Sequence, residues 1–68
     1  RFFERMRARK SYYTSAACQF WVFEEAALSG AFVEFTEAPD VATLRSAHAA
    51  AAEPPLDPSR IYVLLEFS

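Results

Sequence analysis

The sequence predicts an α+β fold, a small antiparallel sheet of three or four strands with one covering helix in the order β-β-β-α-β. Three observations carry this reading. Residues 19–24, 31–37 and 60–67 alternate with the period of two that strands impose. Residues 41–51 repeat their apolar positions at helical spacing. Gly30, the only glycine of the 68 residues, falls between the first two alternating runs, where a hairpin has to turn. A chain of this length buries only ~60% of the surface its unfolded form exposes, so it holds one small core and no second domain. The expected organisation is a basic strand or arm over residues 1–10 and a single α+β domain over residues 11–68.

Residues 1–10 read as a strand with Phe3, Arg5, Arg7 and Arg9 on one side. A helix would instead group Phe2, Phe3, Met6 and Tyr13 beneath a basic face, leaving the order β-β-α-β. Residues 11–15 read as a turn. In the run 19–24, Phe20 and Val22 point one way and Trp21 and Phe23 the other, so both faces are apolar. Such a strand is covered on both sides. With one helix available, the second side requires another subunit or a partner protein.

Residues 25–29 form the hairpin loop. In the next strand Ala31, Val33 and Phe35 share one face, and Phe32, Glu34 and Thr36 the other. Pro39 suits a first helical turn, and Asp40 places an acid by the exposed amides of the helix that follows. Val41, Leu44, Ala47, His48 and Ala51 make its buried stripe, and Pro54 stops it near Ala52. Residues 56–59 form a turn. In the last strand Ile61, Val63, Leu65 and Phe67 oppose Tyr62, Leu64 and Glu66.

Composition narrows the function. The chain is 53% hydrophobic and 16% aromatic, too apolar for a disordered linker. It contains no apolar run long enough to span a bilayer as a helix. Its single cysteine, Cys18, makes no internal disulfide, which points to a reduced, cytoplasmic setting. One thiol and one imidazole do not make a Cys/His zinc site, there is no glycine-rich phosphate loop, and no cofactor is expected. Charge is segregated: residues 1–10 carry a formal +4, and residues 11–68 carry −6. A basic segment on an acidic body docks on an acidic protein, touches anionic lipid at a membrane complex, or folds back on its own acids. Nucleic acid is set aside, because the acidic body repels a phosphate backbone.

The text Phe32-Val33-Glu34-Phe35-Thr36-Glu37, the hairpin with Gly30, and Asp40-Val41-Ala42-Thr43-Leu44-Arg45-Ser46-Ala47-His48 resemble the antibiotic-biosynthesis-monooxygenase-like branch of the dimeric α+β barrel, ferredoxin-like proteins. The resemblance covers residues 20–52. It implies half of a dimeric barrel, with sheets paired across a two-fold axis, and oxidation of a small aromatic molecule or haem. His48 is the position to which a haem-ligating histidine would map. The family pattern places a strand and a long helix before the hairpin, and residues 1–18 are too few for both, so the resemblance implies a chain without that helix.

The residues themselves favour another reading. His48 shares its face with Val41, Leu44 and Ala51, as a packing residue does. Phe20, Trp21, Phe23, Phe32 and Phe35 suit a flat aromatic cavity, a sheet interior or an interface. Tyr12 and Tyr13 are expected over a sheet edge or in a partner's groove. Glu34 and Glu66 are the closest approach to a paired-carboxylate site, with no cleft to hold it. The expectation is therefore a small accessory subunit with no catalytic residues. It docks on a protein partner, or on its own copy, through Trp21, Phe23, Tyr62 and Leu64 and through Arg5, Arg7 and Arg9. The alternative is the homodimeric monooxygenase-like enzyme.

Overall fold

A computed structural model describes residues 1–63, 65 and 67. Its elements are α1 (Phe2–Ser15), β1 (Gln19–Glu24), β2 (Phe32–Glu37) and α2 (Val41–Ala50). The α+β class holds. The described residues form a two-stranded antiparallel sheet, not one of three or four strands, and two helices rather than one.

Residues 1–10 are not a strand, and residues 11–15 are not a turn; residues 2–15 form α1, as the helical alternative has it for the first segment. The stripe that α1 buries is Phe2, Met6, Arg9 and Tyr13, spaced four, three and four residues apart. Phe2, Met6 and Tyr13 are the residues that the helical alternative groups, and Arg9 in their midst is the member that hydrophobicity leaves out. Its burial is made tolerable by partners far along the chain. Continuation through Ser15 also gives α1 the length that ten residues lack. The helix closes in a Schellman arrangement, with Ala17 at φ 65°. There the Cys18 amide donates to the Tyr13 carbonyl at 2.8 Å, and the Ala17 amide donates to that of Thr14 at 3.2 Å.

The strands pair with Phe20 opposite Thr36, Trp21 opposite Phe35, Val22 opposite Glu34 and Phe23 opposite Val33. The Glu25 amide carries the ladder one step further, donating to the Ala31 carbonyl at 2.8 Å. Gly30 takes φ +86°, and its amide donates to Glu24 Oε2 at 3.0 Å. The side chain of Asp40 caps α2 by accepting from the Thr43 amide at 2.7 Å, which holds its carboxyl below the usual range. Pro39 therefore precedes the cap instead of occupying the first turn.

The core consists of Met6, Tyr13, Cys18, Phe20 and Ala47. The element laid against β1 is α1, not α2 as expected. Two hydrogen bonds tie α2 to α1. The Tyr12 hydroxyl donates to the Ala47 carbonyl at 2.6 Å, and the Tyr13 hydroxyl lies 2.8 Å from His48 Nδ1. The expected last strand falls partly on Leu64 and Glu66, which lie outside the described residues. Residues 60–63, 65 and 67 are in no strand.

Candidate functional site

The pairing register sorts the sheet into two unlike faces. Phe20, Val22, Thr36, Glu34 and Phe32 lie on the side of α1, where Phe32 stacks on Phe2 with ring centroids 4.4 Å apart. The other side presents Trp21, Phe23, Val33 and Phe35, exposed by 47%, 54%, 48% and 51%. Phe23 and Phe35 meet edge to face at 5.8 Å. These four form one contiguous apolar patch, which water tolerates poorly. Gln19 and Glu37 continue this face at one end, and Glu25 follows Phe23 at the hairpin end.

Trp21 and Phe23 are thus only half covered by their own chain, and no second layer over them comes from the described residues. The sequence grouped them on one face of β1 and grouped Val33 with Phe35 on one face of β2. It did not join the two pairs. The hairpin register does so, and the position of Gly30 in the loop is the sequence signal that could have fixed it. The five aromatics considered for a cavity do not line one, because the sheet separates Phe20 and Phe32 from Trp21, Phe23 and Phe35.

The basic residues divide differently from the strand reading. Arg5 and Arg9, one helical turn apart, turn toward acids of their own chain. Arg9 is 91% buried by its side chain and pairs with Glu34 Oε1 at 2.8 Å. It also donates to the Glu53 carbonyl. Its guanidinium lies 5.4 Å from the Phe20 ring and 5.9 Å from that of Tyr13, while its Nε has no hydrogen-bond partner among the described residues. Arg5 pairs with Glu53 Oε1 at 2.7 Å, which holds the Glu53 carboxyl below its usual range. Arg7 and Lys10 remain exposed on the far side of α1.

Tyr13 is the most deeply buried side chain, at 1% exposure, rather than a cover for an edge. Burial pushes its hydroxyl up from the ordinary value, and burial together with Arg9 pushes His48 down. Both effects favour the neutral form of the imidazole beside Tyr13. An open recess of about 280 Å³ borders it, lined by Arg45, His48, Ala49, Pro54 and Pro58. Cys18 is buried, and burial pushes its thiol up, away from thiolate chemistry. Among the described residues no cluster of three His, Cys, Asp or Glu side chains is placed to hold a metal. No helix among them is long and apolar enough to cross a membrane. Tyr62 is exposed, and Leu64 lies outside the described residues.

Comparison with known proteins returns no match to any family model, curated protein or solved structure.

Proposed function

We propose that the chain is an accessory docking subunit. It buries the Trp21–Phe23–Val33–Phe35 face against a protein surface that is apolar at its centre and basic at its margin. The observation that carries this is the four large apolar side chains, each about half exposed, on the side of the sheet opposite α1. The chain exposes 5784 Å², against roughly 4,300 Å² for a compact monomer of 7.7 kDa.

Charge selects the partner. Glu37 and Glu25 flank the apolar centre at its two ends. A second copy laid face to face sets carboxylate against carboxylate, whereas Lys or Arg at a partner's rim is attracted to both ends. Arg7 and Lys10, on the other side of the molecule, supply a separate contact for an acidic protein surface or an anionic membrane.

The test is photocrosslinking in the cell, with benzoylphenylalanine at position 23 and a control at the exposed position 56. The reading expects one protein joined through position 23 and not through 56. The joined surface should carry basic residues around an apolar centre, and both Trp21→Ser and Glu37→Lys should abolish the product. A product equally strong from position 56, or one that is a second copy of the chain, sinks it.

A second reading, the homodimeric monooxygenase-like protein, is favoured by α1, which supplies a helix ahead of the hairpin. Two copies would then enclose a small aromatic molecule or haem between their sheets in a ferredoxin-like arrangement. An absorption band on adding haem, lost in His48→Gln with circular dichroism unchanged, would select it.

A further inference from the structure

The bare face of the sheet has a shape as well as a chemistry. Trp21 lies opposite Phe35 and Phe23 opposite Val33, so the patch is two rows of paired side chains on two strands. A two-stranded ribbon is about 10 Å across, the width of one α-helix. A partner sheet of ordinary size, about five strands, overhangs such a ribbon on both sides and leaves its own apolar face bare there. The two rows are about 7 Å apart along the strands, close to the ~6 Å that separates residues four apart on a helix.

Acids close the patch at both ends. Glu37 stands beyond the Trp21–Phe35 row, and Glu25 beyond the Phe23–Val33 row. Both are exposed, and neither meets a cation among the described residues. Glu25 is held at the hairpin end by the Ala27 amide, which donates to its Oε1 at 3.2 Å. The stretch of strand between these ends spans about 20 Å, which a helix covers in about 14 residues. That is four turns, so cations this far apart return to the same side of the helix.

Resting on the docking reading, we infer that the occupant of this face is a single amphipathic helix of another protein, with an apolar stripe at its middle and Lys or Arg on the same side about four turns apart. Other occupants fit worse. The chain's own residues 60–67 contain one cation, Arg60, for two acids, and add a further acid in Glu66. A second copy has no free stripe to offer. Its α1 spends Phe2, Met6 and Tyr13 on its own core, and the outward side of α2 presents Ala42, Ala49 and Ala50.

The experiment places benzoylphenylalanine at position 21 and, separately, at position 23 of the full chain in the cell. Mass spectrometry then maps which residues of the partner each one joins. Both positions face away from the core, and they lie about 7 Å apart on β1. On a helix lying along the strand that distance is about four or five residues; on a partner strand it is about two. The expected result is joined residues about four apart, in a stretch flanked by cations about 14 apart. A synthetic peptide of that stretch should gain helical circular dichroism as it binds, and should shift the emission of Trp21, the chain's sole tryptophan, to shorter wavelength. Glu25→Lys/Glu37→Lys should weaken the peptide roughly tenfold or more, and a peptide with its two cations changed to Glu should bind that variant better than the parent. Joined residues two apart, or scattered over loops, overturn the inference and leave the docking reading standing. So does a peptide that binds without gaining helix, or one whose affinity ignores the charge reversal. No joined protein, a product within the chain, or a product with a second copy sinks the docking reading itself, and the inference falls with it.

Discussion

Arg9 of α1 and Glu34 of β2 meet at 2.8 Å on the covered side of the sheet, joining elements 25 residues apart in sequence. The arginine is buried among Tyr13 and Phe20, while its acid partner keeps contact with water at 35% exposure. Removing one member of such a pair leaves the other unpaired; replacing the buried cation with an apolar chain removes the need for the pair. Glu34→Ala should therefore destabilise the chain by about 1–3 kcal/mol, discounted for the exposed carboxylate. The same change in an Arg9→Met background should cost much less. Urea denaturation of the four chains measures the coupling, and additive losses would show that the pair contributes nothing specific.

Adjacent residues of β1 should behave oppositely. Phe20 is 5% exposed and stacks on Tyr13, whereas Trp21 faces outward. Phe20→Ala should cost about 3–5 kcal/mol, enough to leave little folded chain. Trp21→Ser should lower stability by about 1 kcal/mol or less and raise solubility, because its contacts lie on the bare face. Thermal melts with light scattering distinguish the two.

Ala17 holds a left-handed conformation that an L side chain adopts at a cost of roughly 1–2 kcal/mol. Ala17→Gly relieves it while giving up some unfolded-state rigidity, for a net gain of roughly 1 kcal/mol in denaturation midpoint analysis. An unchanged or lowered midpoint would mean that α1 ends differently in solution.

His48 should make stability fall in mild acid. Its value is pushed below the ordinary 6.5 by burial and by Arg9, so the unfolded chain takes up its proton first. The contribution is complete above pH 6.5 and is lost as pH falls through the lower folded value. The lowered carboxyls of Glu53, Asp40 and Asp57 act in a more acidic window, beginning near 4.5 and 3.8. Stability measured from pH 7.5 to 5 should therefore decline in the parent and flatten in His48→Gln, which can still hydrogen-bond Tyr13.

The sequence by itself determined the elements whose signals are local. The alternation of residues 19–24 and 31–37, the turn at Gly30 and the helix beginning after Asp40 each depend on residues a few positions apart. It also determined that β1 has two apolar faces. Tertiary structure decided which element covers one of them and which residues share the bare side. The helical alternative already grouped Phe2, Met6 and Tyr13 of α1, but Arg9 within the stripe read as part of a basic outer face and not of a core. Arg9 becomes buriable only when Glu34, the Glu53 carbonyl and two aromatic rings converge on it from elsewhere in the chain. Tyr13 became a core residue and Tyr12 packed against the core for the same reason, since the Ala47 carbonyl and the His48 imidazole that satisfy their hydroxyls lie 35 residues away. A polar group enters a core when its partners arrive with it, and the arrival of distant partners is a property of the folded chain rather than of any local pattern.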